Sequence, residues 1–240
     1  MSKCLTILNY ARGLDGEGEP RRQICNVGRR MYGRGLVVAC EGNVSTRLEP
    51  DRILVTPAGV CKGHLAPQDL LVTDSSGAVI YGTGRPSSEI LMHLLFYSLR
   101  PDVHAVCHAH PPTATGFAAA RRAMEQAVLP EVIMDLGSIP LAPYGMPGTW
   151  DLCKGLEPLI PKHDAILLEN HGVVTCGRDL TTAYQRMETV EQFARILLTA
   201  ECLGGPHLLS RAEVQKLIAS RSPSRASSPE STVELTLEPR

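Results

Sequence analysis

The run Val103-His104-Ala105-Val106-Cys107-His108-Ala109-His110 is a hydrophobic strand that ends in His-x-His. Successive side chains on a strand point to opposite faces, so His108 and His110 face the same way, roughly 6–7 Å apart. Two imidazoles placed in this way can close on one metal ion from a rigid element. Val106 shares their face, while Ala105, Cys107 and Ala109 share the other, and Pro111-Pro112 stops the strand just beyond. A third ligand is on offer in Glu169-Asn170-His171-Gly172, another strand end followed by a turn. Three histidines with an open coordination position suit a catalytic zinc rather than a structural one. The same residues also suit two strand-end histidines and a turn histidine with no ion at all.

Pro86-Ser87-Ser88-Glu89 opens a helix, with Ser87 or Ser88 as its cap. Free backbone N–H groups and the positive end of the helix dipole make such a start a natural phosphate site. The turns Gly42-Asn43-Val44-Ser45 and Thr56-Pro57-Ala58-Gly59 can also present N–H groups to an anion, although ordinary caps and turns look the same. Glu89 is expected one turn inside the helix with His93 at i+4 on its face. Alone it is a dipole partner; beside a metal, its carboxylate could first contact the ion and then move a proton. His93 reads as a packing or hydrogen-bonding group, and His104 as structural. Tyr144, in a loop shaped by Pro143, Gly145, Pro147 and Gly148, offers a phenol as proton donor or is simply exposed. Glu188 and Glu191 share a helix face and read as solvated salt-bridging or interface groups.

The elements that must position these residues follow from periodicity and punctuation. Residues 1–20 form a flexible lead-in, with a helix from about Pro20 that carries Ile24, Val27 and Met31 on one stripe and ends at Gly33 and Gly35. Strands are expected at Leu36–Ala39, Ile53–Thr56, Leu70–Thr73, Ala78–Tyr81, Ile139–Ala142, Ala165–Leu168 and Val173–Thr175, with a turn at Glu41–Asn43. Helices are expected at about Ser88–Leu99, Thr113–Met124, after Thr149, and Leu180–Cys202. A terminal helix covers 209–220, and the Ser/Pro-rich tail 221–240 is expected to be disordered. Hairpin-like strand pairs among helices favour a mainly antiparallel sheet covered by helices.

Composition narrows the function classes. With 24 basic and 25 acidic residues the formal net charge is -1, so no global field points to nucleic acid or a membrane surface. No apolar segment is long enough to span a bilayer, and no signal-peptide core opens the chain. The eight cysteines lie singly, with no Cys-x-x-Cys pair, and read as reduced, mostly buried thiols of a cytoplasmic protein. An aromatic content of 4% argues against stacking platforms for single-stranded nucleic acid.

Taken in order, Gly42-Asn43-Val44-Ser45, Thr56-Pro57-Ala58-Gly59, Pro86-Ser87-Ser88-Glu89 with His93, Arg100-Pro101-Asp102-Val103 leading to His108-Ala109-His110, and Asn170-His171-Gly172 resemble the class II aldolase/adducin family. The pattern is nearest to that of L-fuculose-1-phosphate aldolase and covers about Arg21 to Gly204, so that residues 21–208 form the catalytic domain. The resemblance implies a three-layer α/β/α fold around a mainly antiparallel sheet, in a cyclic homotetramer with active sites between subunits. It implies one Zn2+ per subunit on His108, His110 and His171, with Glu89 as acid/base and part-time ligand. It places the substrate phosphate at Gly42, Asn43, Ala58, Gly59, Ser87 and Ser88, and has Tyr144 reach into a neighbouring subunit's site.

The implied activity is reversible cleavage of a phosphorylated ketose, fuculose-1-phosphate-like, to dihydroxyacetone phosphate and an aldehyde. Relatives on the same scaffold dehydrate, decarboxylate or epimerise sugar phosphates, and the adducin heads are non-catalytic interaction domains. Glu89, where epimerases carry Asp, weighs against epimerisation. Three departures bear on substrate identity. Ala58 stands where the fuculose enzyme has a hydroxyl residue, Arg85 stands where lysine is common, and the tail does not resemble that enzyme's tyrosine-bearing C-terminal segment.

Overall fold

The computed structural model describes residues 17–220 and 235–236. Most of the expected lead-in therefore lies outside the described residues, and the first helix, α1 (Gly18–Gly33), takes up its end. Pro20 falls in the first turn, where its missing N–H has no intrahelical partner to lose. Ile24, Val27 and Met31 are buried along one stripe, as the spacing predicts.

Leu36–Ala39 is not a strand. Leu36 donates its amide back to the Met31 carbonyl at 2.9 Å, closing α1, and accepts the His110 amide at 3.1 Å. Leu36 and Val37 plug the core while Val38 is exposed, and Ala39 has a φ of 47°. Helix closure takes the amide that a strand would need, so the apolar run serves as a plug. The strand instead starts at the turn, as β1 (Asn43–Glu49), which the sequence reading had missed.

A single sheet runs in the order β4-β3-β2-β1-β5-β8-β7-β6. Its other members are β2 (Arg52–Val55), β3 (Leu71–Thr73), β4 (Val79–Tyr81), β5 (Ala105–Ala109), β6 (Leu141–Ala142), β7 (Ala165–Leu168) and β8 (Gly172–Gly177). Only β6 pairs in parallel, with β7. The helices are α2 (Ile90–Leu99), α3 (Pro112–Ala119), α4 (Pro130–Asp135), α5 (Trp150–Leu156), α6 (Leu180–Cys202) and α7 (Arg211–Ala219).

Period-2 alternation along the strands divides the core into two layers. Val44, Leu54, Val72, Cys107 and Leu167 face α1, α3 and α6, packing with Ile24, Phe117 and Phe193. Ile53, Leu71, Val106, Ile166 and Val174 face α2 and α5, packing with Met92, Phe96, Leu152 and Leu156. The result is the expected three-layer α/β/α fold with a mainly antiparallel sheet.

Three details differ from the expectation. α3 stops at Ala119 instead of continuing to Met124, because Arg121 adopts a φ of 55° and Met124 bridges Ile139. α4 was not foreseen, since its six residues are too few for a periodic signal. At the other end of the chain, Leu235 packs against Ala127, Ile133 and Val214, and Thr236 forms a parallel bridge with Gln126. The remainder of the tail lies outside the described residues.

One buried ion cluster pins the layers together. Arg100, just after α2, reaches Asp102 at 2.7 Å and Asp164 at 2.9 Å, and Arg186 of α6 reaches Asp164 at 2.9 Å. The Asp164 side chain is 1% exposed, and its removal takes a carboxylate from both guanidinium groups, leaving Arg186 with Asp135 at 4.0 Å as its remaining ion pair. Asp164→Ala is expected to cost about 3–5 kcal/mol, the range for breaking a buried ion pair on one side. Denaturant unfolding at fixed protein concentration measures it.

Candidate functional site

The site forms on the α2 side of the sheet, at the end of β5. Pairing of β1 with β5 sets Asn43 opposite His108 and Ser45 opposite Val106, so these side chains share one face. Gly42 makes the approach possible. It has a φ of 69°, and a Cβ there would lie 2.6 Å from Val37 Cγ1 and 2.8 Å from the His108 carbonyl oxygen. Gly172 does the same for the third histidine, since its Cβ would meet the Ala109 carbonyl oxygen at 2.5 Å. Asn170, at a φ of 54°, turns the β7–β8 connection so that His171 swings back over the strand end. Asn tolerates this left-handed conformation better than most residues.

The expected histidines do come together. The ligand atoms of His108, His110 and His171 all lie within 4.8 Å of one another. Glu89 joins them, with one carboxylate oxygen 3.2 Å from His108 Nε2 and the other 2.9 Å from His171 Nε2. Its place in the helix differs from the expectation. Glu89 is the residue preceding α2, one position before its first turn, and its amide is capped by Ser87 Oγ at 3.3 Å. The carboxylate therefore hangs over the strand end instead of lying along the helix.

This donor set fits a divalent cation. His108 Nδ1 donates to the Val173 carbonyl at 2.9 Å, which leaves its Nε2 lone pair facing inward. His110 Nδ1 lies 3.2 Å from Glu41, which turns the His110 Nε2 inward too, only 3.2 Å from His108 Nε2. Two lone pairs aimed at each other at that distance call for a positive charge between them. Four-coordinate zinc places its ligand atoms about 3.3 Å apart, close to the 3.2 Å separating the two imidazole nitrogens.

The electrostatics follow from crowding and burial. Burial favours the neutral form of Glu89, but the charges and hydrogen bonds of His108 and His171 outweigh it and hold the carboxyl well below the usual range. Burial opposes charge on His108, yet Glu89 pushes its pKa up. Burial pushes His110 down, as do the neighbouring His108 and His171, against the pull of Glu41.

The candidate phosphate residues lie beside this cluster. Asn43 Nδ2 donates to Glu89 at 2.8 Å and to Ser87 Oγ at 3.0 Å. An antiparallel bridge between Pro57 and Pro86 sets the Ala58-Gly59 turn next to Ser87. The Ala58 amide is already given to the Arg85 carbonyl at 2.9 Å, so that N–H is not on offer. Gly59 is exposed at a φ of 72°. Ser88 packs beneath Gly148, where a Cβ would sit 3.1 Å from its own. Tyr144 is 57% exposed, and its hydroxyl makes no hydrogen bond among the described residues. Met146 and Trp150, on either side of the same loop's end, are exposed as well.

Several groups escaped the sequence reading. Glu41 and the Val173 carbonyl orient two of the histidines, and Ser45 and Tyr97 line the same face. The alternation of Asn43 and Ser45 was the available signal, hidden because the segment read as a turn. Glu191 forms a salt bridge, with Arg195 at 2.8 Å, but is 3% exposed instead of solvated. It accepts the Thr113 and Ala114 amides, both at 3.0 Å, and so caps α3 two residues beyond His110. Glu188 forms the salt bridge expected of it, with Arg34, and also accepts the Tyr184 hydroxyl. His93 is a buried hydrogen-bonding group, as expected, and lies outside the triad.

An α/β/α domain with three histidines and a carboxylate converging at a sheet end defines a metal-dependent enzyme class. The chain belongs to the class II aldolase/adducin family: residues 22–198 match the model of the Class II Aldolase and Adducin N-terminal domain. It is 33% identical over 181 residues to the 3-oxo-tetronate 4-phosphate decarboxylase of Escherichia coli K12, covering 74% of this chain and 85% of that one. It is 36% identical over 168 residues to the L-fuculose phosphate aldolase of Methanococcus maripaludis, covering 70% and 90%. Among solved structures, an L-fuculose 1-phosphate aldolase superposes with a TM-score of 0.77 at 29% identity, covering 83% of this chain and 94% of that one. YgbL of Escherichia coli, whose description names aldolase, epimerase and decarboxylase together, superposes with a TM-score of 0.78 at 31% identity, covering 84% and 99%. The family is metal-dependent and the protein is an enzyme of the lyase type.

Proposed function

We propose that this protein is a zinc-dependent aldolase that reversibly cleaves a phosphorylated ketose, fuculose-1-phosphate-like, to dihydroxyacetone phosphate and an aldehyde. The observation that carries this reading is the position of Glu89, within 3.2 Å of two imidazole nitrogens and hydrogen-bonded to the Asn43 amide. His108, His110 and His171 would hold the ion, with Glu89 as a fourth contact. When bound, zinc supplies Lewis-acid withdrawal of the charge that develops at the ketone oxygen.

The chain's own residues supply the rest. Carbon–carbon cleavage beside a ketone releases the aldehyde and leaves an electron pair on carbon, delocalised toward the carbonyl oxygen. A proton must then reach that carbon, and Glu89 is the group placed to deliver it; in condensation it removes the same proton. Asn43 holds one oxygen of Glu89, so the other can face the reacting carbon. The Gly42-Asn43 turn and Gly59, with Ser87 and Ser88, anchor the phosphate at the non-reacting end, where binding energy serves orientation, while Ala58, its amide held by Arg85, only shapes the turn. Tyr144 takes and returns the proton of the aldehyde oxygen from a neighbouring subunit of a homotetramer. Its exposure beside Met146 and Trp150 supports that placement.

Decarboxylation is the second reading, favoured by the 33% identity to the Escherichia coli decarboxylase. There the same electron pair arises by loss of carbon dioxide, and Glu89 again protonates carbon. The described cysteines are all free, which supports a reducing compartment and the cytoplasm. No described helix is long and apolar enough to cross a membrane.

Incubation with dihydroxyacetone phosphate in D2O tests the aldolase half-reaction without a guess at the aldehyde. The expected result is loss of one hydroxymethyl proton signal by NMR, abolished by chelator and restored by Zn2+. No exchange from metal-loaded protein, with carbon dioxide released from a 3-oxo sugar-acid phosphate, would replace the aldolase by the decarboxylase. Wild type that folds but binds no metal would leave a non-catalytic domain.

A further inference from the structure

The residue stripes of α2 and β1 mesh in an unusual way. From the cap of α2 into the helix, Glu89, His93 and Tyr97 recur every four residues, a rise of about 6 Å. Along β1, Asn43 and Ser45 recur every two, a rise of about 6.8 Å. The two steps nearly match, so each helix residue meets the next polar residue of the strand. Tyr97 Oη lies 2.7 Å from Ser45 Oγ, Ser45 Oγ lies 2.6 Å from His93 Nδ1, and His93 Nε2 lies 2.5 Å from Asn43 Oδ1. Asn43 Nδ2 then donates to Glu89 at 2.8 Å.

The geometry points to His93, Ser45 and Tyr97 as positioning residues for Glu89, joined in a one-way chain of hydrogen bonds in which every donor is aimed at its carboxylate. The inference rests on the reading of Glu89 as the proton-transfer group.

The direction follows from hydrogen-bond inventory alone. An ionised carboxylate only accepts, so the Asn43 amide must present its NH2 to Glu89 and its oxygen to His93. That oxygen also only accepts, so His93 must carry its proton on Nε2. Nδ1 is then an acceptor and requires the Ser45 hydroxyl to donate. With its proton committed, Ser45 Oγ accepts from Tyr97. At the far end the Arg47 guanidinium lies over the Tyr97 ring, 4.9 Å from its centre, and donates to the Tyr97 backbone carbonyl rather than to its hydroxyl. Burial of His93 holds its pKa down at about 3, with the charge of His108 adding to this against Glu89, which keeps the ring neutral as the chain needs.

An amide in the path passes no proton, so this is not a proton wire. Its effect is twofold. It prevents Asn43 from flipping, which would turn an oxygen against the carboxylate, and it polarises each bond by the next. Asn43 Nδ2 also reaches Ser87 Oγ at 3.0 Å, so the same lock ties Glu89 to the turn beside the candidate phosphate site.

The test uses the full-length protein and begins with a measurement that needs no turnover. Imidazole 15N NMR is expected to show His93 as the Nε2–H tautomer; the Nδ1–H tautomer overturns the chain. Kinetics then test positioning through dihydroxyacetone phosphate exchange. His93→Leu is expected to lower the maximal exchange rate about 10–100-fold, as loss of one or two buried hydrogen bonds allows, while metal content and KM stay within about twofold. His93→Gln, whose amide can still donate to Asn43, is expected to recover most of that loss. Tyr97→Phe, which removes only the first donor, is expected to cost about 2–10-fold. If His93→Leu folds poorly, the Gln and Phe variants still decide. Wild-type rates in all of them, or a loss confined to metal content, overturn the inference. A wild type with no exchange at all refutes the aldolase reading instead, and the tautomer still decides the chain.

Discussion

Glu89→Gln is expected to bind its metal ion and to lose dihydroxyacetone phosphate proton exchange by about 10²–10⁴-fold, the range that a positioned general base contributes. Gln preserves the volume and reach of the side chain, so the fold around α2 has no cavity to absorb. What it removes is the basic oxygen that stands 2.9 Å from His171 Nε2. The three imidazoles remain, and the inward nitrogens of His108 and His110 are set by partners other than Glu89, the Val173 carbonyl and Glu41. Metal content by elemental analysis and exchange by NMR therefore separate the two roles of one residue. Exchange at the wild-type rate would remove Glu89 from the mechanism, whereas loss of metal together with exchange would make it chiefly a ligand.

His108→Ala is expected to abolish both metal binding and exchange. Among the three histidines His108 is the most deeply set, fully buried at the end of β5, and it faces both Glu89 and His110. Losing an outer hydrogen-bond partner of a ligand costs about 10–100-fold in metal affinity, and loss of the ligand itself is expected to exceed this. The variant also leaves Glu89 buried with fewer positive neighbours. Purified His108→Ala with no stoichiometric zinc, still folded by circular dichroism, is the expected outcome. A variant that retains one equivalent of zinc would move the metal away from the triad and with it the whole reading of the site.

The strand that carries His108 and His110 was legible because its information is local. A period of two places His108 and His110 on one face whatever the rest of the chain does, and Pro111-Pro112 and Asn170-His171-Gly172 mark strand ends by backbone sterics alone. Hairpin-like strand pairs among helices likewise favoured a mainly antiparallel sheet covered by helices, and the family resemblance supplied the three layers. The ordered set of motifs tied these pieces to a family, which the fold and the relatives bear out.

Tertiary structure decided everything that depends on register between distant segments. Leu36–Ala39 has the composition of a strand, yet closure of α1 takes its amide and β1 begins after Gly42 instead. Once β1 pairs with β5, Asn43 stands opposite His108, and Ser45 falls under α2 beside His93 and Tyr97. Glu191 reaches across 78 residues to cap the helix that follows His110. None of these partners is within a helical turn or a strand step of the other, so no local period encodes them. They are fixed by packing of the two helical layers on the sheet, where each buried polar group must find its hydrogen bond in whatever segment the fold brings alongside.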